Sequence, residues 1–200
     1  MKKIFLTAMV AVLSVVSIHA QASFGVKAGV NLSNFTGDVE DNSSLTGFHI
    51  GGVVEIKLSD KFSLQPELLL VSQGASFEYD DGEFYSSDIN LTYLNIPVMA
   101  KYYVMDGLSL EFGPQIGVLL SAKNKGTVKY LGEVTSFDND IADDIEKIDL
   151  GLNFGAGYTL ENNMFFQVRY NLGLLNISEE SDYFKMKNSV FQFSVGYKFN

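Results

Sequence analysis

The 200-residue chain contains no cysteine, only 3 Pro and only 2 His. Without cysteine, no disulfide framework holds the fold and no thiol chemistry is available. Bases are scarce as well: Lys and Arg total 14 against 24 Asp and Glu, for a formal net charge of −10. Phosphate binding requires clustered Lys and Arg, so nucleic acid is excluded as a partner. Beyond residue 22 no stretch approaches the ~20 continuous apolar residues of a transmembrane helix. Residues 1–22 read differently. Lys2 and Lys3 precede an apolar run, residues 4–18, too short to span a bilayer. Ala20-Gln21-Ala22 then supplies an A-x-A cleavage site, with cleavage after Ala20 as the alternative. Residues 1–22 are expected to be a cleaved secretory signal, leaving 23–200 as one exported domain.

Glycine and aromatic residues are abundant, with 18 Gly, 16 Phe and 10 Tyr. Aromatics favour strands, and glycine marks turns, bulges or close packing. Period-2 alternation recurs over residues 24–33, 48–58, from Phe62 onward, 94–102, 108–121, 149–158, 166–174 and 191–199. In the last of these, Phe191, Phe193, Val195, Tyr197 and Phe199 alternate with Gln192, Ser194, Gly196 and Lys198. Ser59-Asp60-Lys61, Met105-Asp106-Gly107 and Glu161-Asn162-Asn163 read as tight turns. Long polar stretches, residues 34–47, 76–90, 122–147 and 178–188, read as loops. Long loops at one end and short turns at the other predict an all-β, eight-stranded antiparallel up-and-down transmembrane β-barrel. Both termini then lie at the periplasmic end.

In a bilayer every backbone polar group must be paired within the protein, and a closed barrel achieves this. The apolar face is expected to meet lipid. The other face, rich in Gly, Asn, Gln and Ser, suits a tight lumen better than the solvated exterior of a soluble sandwich. Phe24, Phe62, Tyr102, Tyr158, Phe166, Tyr197 and Phe199 fall where an aromatic girdle belongs at the short-turn end. Phe35 and Phe48 are expected in the girdle at the other end.

Eight strands enclose a lumen that side chains fill, which excludes a wide pore. Inward positions include Lys27, Lys57, Lys101, Arg169 and Lys198, facing Glu55, Glu67, Glu111 and Asp149. Isolated charges there are costly and paired ones are tolerated. These nine residues are therefore expected to form a structural ion-pair network that fixes register and plugs the barrel. Pro66, Pro97 and Pro114 lie inside strands and are expected to bring bulges or ladder defects, and a bulge shifts in/out parity.

No catalytic, cofactor or metal site is expected. His49, the single histidine of the exported domain, has no nucleophile motif beside it and reads as structural. The acids of "FDNDIADDIEK" and "YDDGEF" lack EF-hand spacing and read as solvated loops. Two function classes remain. One is a structural or interaction barrel whose acidic outer loops contact partners. The other is a narrow channel, or a conduit for a small apolar ligand that leaves sideways past the prolines.

"FGVKAGVNLSNF", "LQPELLL", "LNIPVMAKYY", "EFGPQIGVLLSAK", "DLGLNFGAGY", "FQVRYNLGLLNI" and "FQFSVGYKF" together resemble the PorT-family outer-membrane β-barrel domain of Bacteroidetes. The resemblance spans residues 23–200 and implies an eight-stranded outer-membrane barrel. One branch of that family is tied to protein secretion and gingipain maturation. The closing strand also resembles the C-terminal signal read by the barrel-assembly machinery, with Asn200 following the terminal aromatic. The implied partners are outer-membrane lipid, that machinery during insertion, and a protein reached through the loops, with the barrel a monomer.

Overall fold

The structure is a computed structural model that describes residues 22–80, 84–130, 133–179 and 184–199. The leader read at residues 1–22 lies outside this set, apart from Ala22, which pairs with Ile56. Nine strands follow in order: β1 (Ala22–Gly37), β2 (Asn42–Lys57), β3 (Phe62–Asp80), β4 (Phe84–Met105), β5 (Leu108–Tyr130), β6 (Glu133–Asp140), β7 (Ile148–Thr159), β8 (Met164–Gly173) and β9 (Met186–Phe199). Each strand pairs antiparallel with the next from β1 to β6 and from β7 to β9, and β1 pairs with β9. β5 pairs with β4 on one side and β7 on the other. Eight strands thus close a ring. β6 stands outside it, paired among the described residues only to the upper part of β5.

The alternation seen in the sequence is the in/out alternation of this wall. Phe24, Phe62, Tyr102, Tyr158, Phe166, Tyr197 and Phe199 are all exposed on the outer face near the short turns. Phe62 packs against Tyr102, the two rings tilted by 49° with centroids 4.9 Å apart. At the opposite end Phe48 is exposed, but Phe35 is 2 % exposed and points inward. Phe35 is therefore not a girdle residue: it packs into an apolar cluster inside the mouth.

Three of the polar stretches expected as loops, 34–47, 76–90 and 122–147, are mostly strand in their described residues; of 178–188 only the last three residues belong to a strand, and 180–183 lie outside the described residues. β4 has 22 residues and β5 has 23, whereas a transmembrane strand needs about 10. The surplus of β3, β4 and β5 continues upward and, with β6, forms a sheet rising about 25 Å above the wall. Backbone pairing does not require apolar side chains, so solvated hairpins extend as ladder.

Pairing lapses at each proline without a change of register. β2 and β3 skip Val54 and Glu55 against Gln65 and Pro66. β3 and β4 skip Glu67 and Leu68 against Ile96 and Pro97. β4 and β5 skip Val98 and Met99 against Gly113 and Pro114. Each proline withholds the N–H its neighbour's carbonyl needs. The three lapses form one diagonal row across four strands. The expected parity shifts do not occur there. Register instead shifts at Ser44/His49, Thr92/Tyr93 and Tyr103/Met105.

Candidate functional site

The lower lumen is filled by one network of buried charge. Lys27 of β1 meets Glu67 of β3 at 2.8 Å. Arg169 of β8 reaches both Glu67 at 2.9 Å and Glu111 of β5 at 3.0 Å. Lys101 of β4 lies 3.3 Å from Glu111 and 3.5 Å from Glu55 of β2. Lys198 of β9 also pairs with Glu55, which accepts a hydrogen bond from Tyr103 as well. Gln65 donates to Glu67 at 2.7 Å and Gln167 to Glu111 at 2.9 Å. β7 supplies no charge at this level but supplies room: a Cβ on Gly157 would sit 2.6 Å from Glu111 Oε1.

The structure thus joins Lys27, Glu55, Glu67, Lys101, Glu111, Arg169 and Lys198. It leaves out two of the nine. Lys57 is exposed at the end of β2, where its long stem reaches water at the rim. Asp149 is buried but, among the described residues, meets no cation; its Oδ2 accepts a hydrogen bond from Asn188 at 2.8 Å. Asp149 is the second residue of β7, above the cationic layer.

A polar layer lies next to the network. His49 Nδ1 donates to Asn31 Oδ1 at 2.7 Å, and His49 Nε2 accepts from Ser194 at 2.8 Å. Asn31 Nδ2 in turn donates to the Ser72 carbonyl at 2.9 Å, which fixes which amide atom faces the ring. Ser194, His49 and Asn31 are thus connected as a nucleophile–base–orienter chain is. Sequence reasoning missed this grouping because the three residues come from β9, β2 and β1. All three side chains are buried within the lumen.

The upper lumen is apolar. Phe35, Ala75, Leu91, Tyr93, Ala122, Ile145, Ile177 and Met186 form a buried cluster across the mouth. Ile145 and Ile177 come from the segments that follow β6 and β8, and Ile145 bridges to Ser178. The lumen is therefore not filled by polar and charged side chains alone. Leu69 and Val71 of the run Leu68-Leu69-Leu70-Val71, apolar on both faces, are also buried inward, outside that cluster.

Outside the wall, acids dominate. Asp138 of β6 pairs with Lys125 of β5 at 3.1 Å. Asp140 caps the backbone N–H of Ala142 at 3.0 Å. Among the described residues no group of three or more His, Asp or Glu is placed to hold a metal ion. Asp81 and Glu83 of the "YDDGEF" stretch lie outside the described residues.

A closed ring with an apolar exterior, girdled at the short-turn end and plugged within, defines an integral β-barrel of the outer-membrane type. The chain belongs to the outer membrane protein beta-barrel domain family, whose model matches residues 19–179. None of the curated proteins matches it. Among solved structures it is similar to Neisserial surface protein A, with a TM-score of 0.52 and 13% identity, over 89% of this chain and 99% of that one. It is also similar to Ail, the attachment invasion locus protein of Yersinia pestis, crystallised with the heparin analogue sucrose octasulfate. That match has a TM-score of 0.50 and 13% identity, over 89% of this chain and 99% of that one. At that identity the likeness is one of fold.

Proposed function

We propose that this protein is an outer-membrane anchor of the structural or interaction type, acting through the strands it projects outside the cell. The observation that carries this reading is the double closure of the lumen. Buried ion pairs fill its lower half and apolar side chains stop its mouth, so the barrel holds the projecting sheet in place and passes nothing through. No catalytic role is assigned: Ser194 and His49 have no route to substrate between those two layers. Residues 1–22 serve as the export signal, and the closing strand as the mark for barrel assembly. Membership of the PorT type, including its secretion branch, is the version of this reading that would supply a partner.

The outer surface constrains that partner. Acids outnumber bases in each of the four outward stretches, residues 34–47, 76–90, 122–147 and 178–188. A polyanion of the kind crystallised with Ail would be repelled here. The test is crosslinking in intact outer membranes with a tagged full chain and a variant lacking residues 123–140. The backbone N–H of Ile141 donates to the Ala122 carbonyl, so an Asn-Gly turn inserted in place of the deleted residues joins the two ends. A defined partner recovered with the full chain and lost with the variant is expected. Recovery of the same partners with both chains, or of the barrel alone, would contradict the reading.

A second reading has its own observation. Beside the Pro114 lapse, a shallow groove of ≈ 220 Å³ opens toward lipid, lined by Phe62, Ala100, Tyr102, Leu110 and Phe112 together with Lys101 and Glu111. A small apolar ligand leaving sideways would pass this place. Release of a bound lipid-soluble probe that slows when Pro114 is replaced by Ala would favour it.

A further inference from the structure

We propose that the free edge of β6 is a docking site for an extended, basic peptide segment, which joins the projecting sheet as a further strand. This deepens the interaction reading above and rests on it.

β6 is the last strand of the sheet order. Its inner edge pairs with β5 over all eight residues in one unbroken register, from Lys123↔Asp140 to Tyr130↔Glu133. Among the described residues, no backbone hydrogen bond reaches its outer edge. In an antiparallel strand alternate residues aim their N–H and C=O to opposite sides, so half of the backbone groups of β6 face outward unpaired. Exposed edges are ordinarily blunted by charge, above all lysine, by proline or by a bulge; β6 has no lysine, proline or bulge, and the charge it carries, on Glu133, Asp138 and Asp140, is all acidic and repels acidic strands but not basic ones. It is also anchored to the sheet: Phe137 stacks on Tyr85 of β4 at 6.1 Å between centroids, across Gly126 of β5. An anchored strand with a free edge presents a template for one more.

Charge selects the occupant. β5 already shows what β6 accepts on its other side, with Lys125 directly opposite Asp138 and Lys123 opposite Asp140. A strand with cations at alternate positions repeats that pattern on the free edge. A second copy of β6 does not. Antiparallel self-pairing centred between Ser136 and Phe137 sets Glu133 against Asp140, and like charges directly opposite are destabilising.

The probe is a synthetic peptide with the sequence of residues 123–130, KNKGTVKY, titrated onto the full chain in lipid nanodiscs. Saturable binding is expected. Two N-methylated versions separate strand addition from charge attraction, one methylated at positions 2, 4 and 6 and the other at 3, 5 and 7. Methylation on the alternation that faces β6 abolishes binding, and on the other it does not. The paired variant Asp138→Lys with Asp140→Lys, both on exposed positions, is expected to bind the peptide about tenfold more weakly. Absence of binding, equal binding by both methylated peptides, or dimerisation of the unliganded protein through β6 would each overturn the proposal. A partner crosslinked to the projecting strands despite such a result would leave the interaction reading standing and remove only the edge.

Discussion

Arg169 grips Glu67 through two parallel hydrogen bonds, Nη1 to Oε2 at 3.0 Å and Nη2 to Oε1 at 2.9 Å. The two residues are 102 apart in sequence. β3 and β8 stand on opposite sides of the ring, with three strands between them either way round. The pair is a strut across the lumen, and Lys27 and Glu111 brace it on either side.

Breaking that strut from one end leaves buried charge uncompensated. Glu67→Ala is expected to cost about 3–5 kcal/mol, because Arg169 and Lys27 lose their shared carboxylate. The double variant Glu67→Leu with Arg169→Met removes both charges together and is expected to lose less than the single variant. Equilibrium unfolding in urea from lipid vesicles measures both. A single variant as stable as the parent would show that the network contributes nothing to the fold.

Gly74 tests where the projecting sheet leaves the wall. Its φ of +153° is in the region that favours glycine, and a Cβ there would lie 1.8 Å from the Ile89 carbonyl oxygen. Gly74→Ala is expected to cost about 1–3 kcal/mol and to loosen the β3–β4 hairpin above it. Gly52→Ala is the control, since its Cβ would meet only the Gly25 carbonyl oxygen, at 3.9 Å. That change is expected to stay within about 0.5 kcal/mol. The unfolding midpoints of the two variants should separate accordingly.

The wall was legible because its alternation is one-dimensional: Phe191 to Phe199 gives its two faces without knowledge of any neighbour. The expectation of a network among the inward charges rests on a single fact, that inward charges need opposite charges; which carboxylate meets which cation depends on strand register and was not legible. What was lost depends on height in the barrel rather than on face. Asp149 points inward as expected but lies above the cations, so it bonds to Asn188. Lys57 lies at a strand end, where its ammonium escapes to water. Phe35 is an exception of face: it shares the parity of Lys27, Asn31 and Ser33, so the alternation of β1 already turns it away from lipid, but the mouth cluster that receives it is built from β3, β4, β5, β9 and the segments after β6 and β8. No local pattern joins those pieces.

The Ser194–His49–Asn31 chain makes a sharper test of the non-catalytic reading. A fluorophosphonate probe is expected to leave Ser194 unlabelled in the membrane-embedded protein, because the hydroxyl is enclosed. His49→Ala is expected to destabilise by about 1–3 kcal/mol, since Asn31 and Ser194 each lose a buried partner. Labelling at Ser194 that disappears in the His49 variant would reverse the assignment.

Closure of the lumen is most directly tested by electrical recording from the purified full chain in a planar bilayer. A lumen filled by Arg169, Glu67 and their neighbours and stopped by Phe35, Leu91, Ile145 and Ile177 predicts a silent membrane at every voltage the bilayer withstands. Discrete conductance steps that change size when Glu67 or Arg169 is replaced would mean that ions travel through the network, and would contradict it.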